Sequence, residues 1–158
     1  MIRLNPVESR RYVAGQLMWF LCWVGVTVVG ACLTPKPEGH GTHTELGLPP
    51  CPCVVLFGRP CPGCGLTTSF TATIHGQFGA AFHAHPLGPI LYGLFTATAL
   101  LALYGWWKKR SIDQTVLARR LTAAFVVIFL TFGAVRFALS PHYGDNDSYH
   151  QFALAQAR

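Results

Sequence analysis

Four of the six cysteines lie between positions 51 and 64, as Cys51-Pro52-Cys53 and then Pro60-Cys61-Pro62-Gly63-Cys64-Gly65. Thiols at these spacings can do three things: bridge to one another, hold a soft metal ion, or exchange disulfides. Pro62 and Gly63 force a turn, and an apolar stripe begins at Leu66, so Cys64 is expected at the N-terminus of a helix. Unpaired backbone N–H groups and the positive end of the helix dipole would stabilise a thiolate there, favouring metal ligation or reactive sulfur. Pro60 and Pro62 stiffen the approach, and Gly65 follows before Thr67.

Each chemistry leaves its own signature. Structural disulfides are the default outside the cytoplasm. One could join Cys61 to Cys64, or a bridge could tie the Cys51/Cys53 pair to the Cys61/Cys64 pair; four cysteines allow three pairings, and sequence does not choose among them. A metal site would draw on Cys51, Cys53, Cys61 and Cys64, or on some of them with His75, His83 or His85, because sulfur and imidazole suit zinc or copper(I). Cys-x-x-Cys is good ligand spacing; Cys-x-Cys is tighter than the usual structural zinc pair and suits copper. A redox site would use Cys61-Pro62-Gly63-Cys64 as the exchanging dithiol, with Cys51 or Cys53 resolving. The chain has no βαβ pattern for a thioredoxin-like domain, so that reading requires a membrane-embedded oxidoreductase.

His75, His83 and His85 are the only potentially ionisable side chains, cysteines and tyrosines aside, between Arg59 and Lys108. Histidine at membrane depth points to a proton relay or a ligand; these three sit in a Gly-containing connection before Pro86, where a hydrogen bond to backbone or water is the simpler role. His40 and His43 lie in a glycine loop and are expected in solvent. Thr67, Thr68, Thr71 and Thr73 could line a polar path or bond their own helix backbone. Cys22 and Cys32 fall within an apolar run and read as small apolar residues. Trp19, Trp23, Trp106 and Trp107 fit interfacial anchors or lipid-facing positions. Asp145 and Asp147 lack the glycine and glutamate spacing of a calcium loop, and the chain has no phosphate-binding glycine loop, zinc-protease helix or serine triad motif. No catalytic residue is assigned, and a non-enzymatic role is expected.

The elements that must position these residues belong in a bilayer. Half the residues are apolar and 11% are charged, against roughly 25% charged in an ordinary soluble domain. The formal net charge of +6 resides in short basic clusters beside apolar runs, so it reads as a topology signal and not as a nucleic-acid surface. Residues 13–34, 87–107 and 121–139 are each long enough to cross a hydrocarbon core about 30 Å thick. No charge appears from Tyr12 to Pro35, a run too long for a secretory signal, so the first span is expected to be retained. The second ends in Trp106-Trp107 and then Lys108-Lys109-Arg110; the third starts past Arg119-Arg120 and carries Arg136 near its far end.

Between the first two spans lie the motif loop, 51–65, and a segment in which Leu66, Phe70, Ile74, Phe78 and Phe82 recur every four residues. That stripe predicts an amphipathic helix over 66–82. Arg3, Arg10 and Arg11 put the N-terminus in the cytoplasm, and Lys108 to Arg120 put the loop before the third span there too. Three crossings satisfy both; a fourth by 66–82 would not, so this helix is expected to lie on or re-enter the membrane. The cysteine loop and the tail from Ser140 then face outward.

The segment Cys51 to Leu87 resembles a widespread family of short bacterial membrane proteins of unknown function, whose hallmark is a Cys-Pro pair followed by Gly-x-Pro-Cys-Pro-Gly-Cys-Gly-x-Thr-Arg. Cys51-Pro52 fits the pair, Gly58 and Pro60 to Gly65 fit the core, Thr67 fits the threonine, and Pro86-Leu87 resembles the Asn-Pro-Leu that often follows. Thr68 stands where arginine is usual, and Cys53 is additional to the usual three cysteines. The resemblance implies a membrane fold and a meaningful motif, and no reaction. The expectation is a single all-α integral membrane domain, three transmembrane helices plus a re-entrant or interfacial helix, multi-pass in a bacterial cell membrane. It would act as an accessory or structural subunit for a membrane-protein partner, its cysteine loop fixed by disulfide or metal. The alternatives are a zinc- or copper-handling membrane protein and a membrane thiol-disulfide oxidoreductase.

Overall fold

The computed structural model describes residues 2–6, 13–114, 116–139 and 155; Arg10, Arg11 and the expected outward tail from Ser140, apart from Ala155, lie outside the described residues. Three helices are long and apolar enough to span a membrane: α1 (Ala14–Cys32), α5 (Gly88–Trp107) and α6 (Val116–Leu139). Between α1 and α5 come a 3-10 helix (Thr42–Leu46), α2 (Pro52–Phe57), α3 (Leu66–Ile74) and α4 (Phe78–Ala84). The fold is the expected all-α membrane architecture with one addition. A short antiparallel ribbon pairs β1 (Ile2–Pro6) with β2 (Arg110–Gln114), Leu4 opposite Ile112. Nothing in the composition of either strand announces it.

The ribbon has a topological consequence. It ties the N-terminal segment to the α5–α6 connection at one end of the bundle, so an even number of crossings separates them. Helices α1 and α5 supply two. At nine and seven residues, α3 and α4 rise only about 14 and 10 Å, well short of the roughly 30 Å of a bilayer core.

The single helix expected over 66–82 is two helices. Gly76 takes φ 73° between them, and the chain turns there, His75 and Gly76 closing on the carbonyls of Thr71 and Thr73. The most buried face of α3 is also not its apolar stripe, whose Leu66, Phe70 and Ile74 are half-buried, Phe70 against Tyr92 and Ile74 against Gly30. Thr68, Ser69, Thr71 and Ala72 are the buried residues of α3, whereas Phe78 and Phe82 of α4 are exposed. Small residues on that face allow close backbone packing between helices. Ser69 donates to the carbonyl of Ala81 at 2.8 Å, joining α3 to α4. A methyl group on Gly88 would collide with the Ser69 side chain, so α5 starts in contact with α3.

Helices α1 and α5 are joined by polar rungs. Trp23 Nε1 donates to Thr96 Oγ1 at 3.0 Å, Trp19 Nε1 to Thr98 Oγ1 at 3.2 Å, and Thr27 and Tyr92 share a hydroxyl pair at 2.9 Å. Residues 19, 23 and 27 lie four apart, on one face of α1. Trp19 and Trp23 are therefore interhelical donors, Trp19 being also 47% exposed, as at a lipid-facing position: an indole N–H in a lipid environment needs an acceptor, and the α5 threonines are in reach.

Candidate metal centre

The motif is not a plain loop. Pro52 opens α2, where its fixed φ and missing N–H do no harm, and Cys51 is the N-cap residue. Gly58 ends α2 in the left-handed region at φ 59°, returning the chain toward Cys61. Pro60 is buried, while Pro62 is half-buried and Gly63 exposed. The Cys64 N–H bonds the Cys61 carbonyl at 3.0 Å, closing the Cys-Pro-Gly-Cys turn so that both thiols lie on one side. Gly65, at φ 84°, is the N-cap of α3. A methyl group there would strike the Ala84 carbonyl oxygen and stand 2.7 Å from that of Gly39, so this position requires glycine both for its dihedral and for its space.

These turns bring the sulfurs of Cys51, Cys61 and Cys64 together, all within 4.8 Å of one another. Cys51 and Cys64 are buried and pack with Val54. Three cysteines thus lie close enough to hold a metal ion. None of the six cysteines, all of them among the described residues, is in a disulfide. A cavity of about 210 Å³ opens on the group, walled by Cys51, Cys61, Cys64, Thr68 and His43.

The thiols are not equivalent. Hydrogen bonds from the Cys61 and Cys64 thiols hold the Cys51 pKa far below the ordinary thiol value, and the N–H groups of Val54 and Cys53 lower it further. Cys61 and Cys64 are pushed up, because each donates to Cys51 and burial disfavours their charged forms. Negative charge on the group is thus favoured at Cys51. Cys64, expected at a helix start, directly precedes the Gly65 N-cap of α3 and is buried.

The third span buttresses this turn. Arg136 of α6 donates to the Cys64 carbonyl at 2.9 Å and to the Ala84 carbonyl at 3.3 Å. Arg59, within the motif, reciprocates by donating to the α6 carbonyls of Ala138 at 3.0 Å and Phe137 at 3.4 Å, capping groups that a helix end leaves unpaired. A methyl group on Gly133 would collide with Pro62, and the Phe57 and Phe137 rings meet edge-on at 6.0 Å. His85 is fully buried and bonds the Pro62 carbonyl through Nε2 at 3.3 Å. Its ring stacks on Phe129 at 5.7 Å and meets Phe132 at 5.6 Å.

Of the residues the sequence offered as ligands, Cys51, Cys61 and Cys64 converge and Cys53 does not. Cys53 is half-buried and packs against the group; desolvation raises its pKa, and its thiol bonds that of Cys51 without entering the grouping of three. His75 bonds its own helix at the Thr71 carbonyl, 2.9 Å away, and His83 is exposed. His85 supports the turn from behind. Thr67 is exposed on the cavity wall. Three residues assigned other roles from sequence belong here. His43, expected in solvent, lines the cavity. Thr68, where the family usually has arginine, shares a 2.8 Å hydroxyl bond with Thr42. Arg136, expected to snorkel toward headgroups, instead reaches the motif backbone. An arginine inside an apolar run is a signal of such a partner, though not of which one.

No curated protein and no solved structure matches the chain. Residues 51–99, from the first motif cysteine into α5, match the family model described as protein of unknown function (DUF2752), in agreement with the resemblance carried by the motif.

Proposed function

We propose that this chain is a membrane protein that holds one soft metal ion, zinc(II) or copper(I), at a tris-cysteine centre of Cys51, Cys61 and Cys64. The observation that supports this best is the three sulfurs within 4.8 Å of one another. A disulfide joins two sulfurs and leaves the third with nothing to do; one ion engages all three. The charge balance agrees. Three thiolates are costly in a half-buried apolar setting unless a cation joins them, and with zinc the group retains a net charge of −1. Arg136, bonded to the Cys64 carbonyl, sets a positive charge beside it.

Such an ion would fix the motif turn against the end of α6, which is how an accessory or structural subunit would use it. Leu56 and Phe57 of α2 are left 73% and 55% exposed at this end of the bundle, available to lipid or to a membrane-protein partner. The positive-inside argument places the motif end outside a bacterial cell membrane. To test the reading, the full chain is purified in mild detergent, loaded with zinc(II) or copper(I), desalted, and assayed for bound metal. One ion per chain is expected. It should be lost in Cys51→Ser, Cys61→Ser and Cys64→Ser and kept in Cys53→Ser. A wild-type chain that retains neither metal, or a loss in Cys53→Ser equal to the others, would overturn it.

A further inference from the structure

We infer that His43 is the fourth ligand of the centre, which closes it as Cys3His and selects zinc(II) over copper(I); this rests on the metal reading above. The cavity that opens on the three sulfurs has His43 in its wall, whereas Cys53, the motif's other candidate, bonds the Cys51 thiol but is not part of that wall. Residue 43 is also held in place. Its 3-10 helix is bounded by Gly41 and Gly47 in the left-handed region, at φ 85° and 72°. Thr44 bonds the Gly41 carbonyl through both its N–H, at 3.0 Å, and its hydroxyl, at 2.8 Å. Thr42 is fully buried, and its hydroxyl meets that of Thr68 at 2.8 Å. Thr68 lies four residues after Cys64, one turn into the helix that the motif starts. The chain thus bolts the backbone next to His43 onto the element that carries the cysteines, and leaves the imidazole half-buried at the cavity edge.

The imidazole stands outside the 4.8 Å grouping of the sulfurs, so ligation requires its side chain to rotate inward, and a cavity of about 210 Å³ gives it room. The chemistry favours this donor. A neutral imidazole completes a tetrahedron around zinc(II) and leaves the net charge at −1, which one arginine offsets; a fourth thiolate would make it −2. Cys3His is an ordinary closed structural zinc set. Three sulfurs alone would instead leave an open position, or suit copper(I).

The test is zinc K-edge X-ray absorption on the full chain, prepared without a polyhistidine tag and loaded with zinc(II) alone. Wild type should give three sulfurs at about 2.3 Å and one nitrogen at about 2.0 Å, with the outer-shell scattering of an imidazole. In His43→Ala the imidazole scattering should vanish and zinc affinity fall by at least about tenfold, since even groups behind the ligands matter that much. His43→Cys guards against a variant that merely misfolds, and should give a four-sulfur shell. A wild-type spectrum of three sulfurs with oxygen, an imidazole signal that survives His43→Ala, or a three-sulfur shell in His43→Cys would overturn the inference and leave the tris-cysteine centre standing. A wild-type chain that binds no zinc or copper(I) would instead remove the centre itself.

Discussion

Replacing Arg136 with methionine tests the claim that this arginine docks α6 on the motif. Methionine keeps the length and apolar stem of the side chain and removes both hydrogen bonds, to the Cys64 carbonyl at 2.9 Å and the Ala84 carbonyl at 3.3 Å. A hydrogen bond from a charged donor is worth about 1.5–3 kcal/mol in soluble proteins, and polar contacts between membrane helices average about 0.6 kcal/mol. The shorter bond belongs near the first range and the longer near the second. Relief of the half-buried charge in the variant offsets part of the sum. The expected loss is about 2 kcal/mol, or roughly thirty-fold in the folding equilibrium at about 1.4 kcal/mol per factor of ten. Unfolding by SDS in mixed micelles, followed by far-ultraviolet circular dichroism, reads this directly. Arg136→Lys keeps the charge but not the fork, and should recover about half. Zinc affinity should fall in parallel, because the cation beside the centre is gone. An Arg136→Met chain that unfolds within about 0.5 kcal/mol of wild type and binds zinc equally well would refute the reasoning.

Three further outcomes follow from the same geometry. Gly65→Ala should cost about 3 kcal/mol in the same titration, combining about 1–2 kcal/mol for a left-handed alanine with overpacking against the Gly39 and Ala84 carbonyls; wild-type stability would show that the notch is not tight. His85 is held neutral because burial lowers its pKa, with Arg136 acting in the same direction. The unfolded chain then binds the extra proton, so stability should drop as pH falls below about 6.5, by up to about 1.4 kcal/mol per pH unit, and His85→Leu should flatten that dependence; a wild-type profile already flat from pH 7.5 to 5.5 would contradict it. Zinc binding at pH 7 should displace fewer than three protons, because hydrogen bonds from Cys61 and Cys64 lower the Cys51 pKa; calorimetry in buffers of different ionisation enthalpy counts them, and three would mean that Cys51 starts as a thiol.

The sequence made the bilayer and the thiols legible because both signals are local. Runs of apolar residues between basic clusters specify helices that span, and cysteines two and three apart can hardly avoid one another. What the sequence hid depends on contacts between distant positions. Arg136 and Cys64 are 72 residues apart, and Arg59 and Ala138 79 apart; no spacing rule joins them. His43 read as solvated because its glycine neighbours signal a loop, and only the Thr42–Thr68 bond reveals that the loop is pinned to the motif. The stripe from Leu66 to Phe82 misled for a different reason. Period-four apolar residues mark the buried face of a helix in water, but the most buried face of α3 carries Thr68, Ser69 and Thr71, small residues that allow close backbone packing. Family resemblance located the motif and was silent on its use, so the distinction between three converging cysteines and an additional fourth came only from where the sulfurs lie.

The most direct test of the central claim is which thiols a bound metal protects. Zinc-loaded chain in detergent is treated with a membrane-permeant maleimide, and each cysteine is assigned by peptide mass spectrometry before and after chelation. The tris-cysteine centre predicts that Cys51, Cys61 and Cys64 are shielded together and become reactive together when zinc is removed, while Cys22, Cys32 and Cys53 react in both states. A Cys61–Cys64 disulfide with Cys51 reactive regardless of zinc would contradict it.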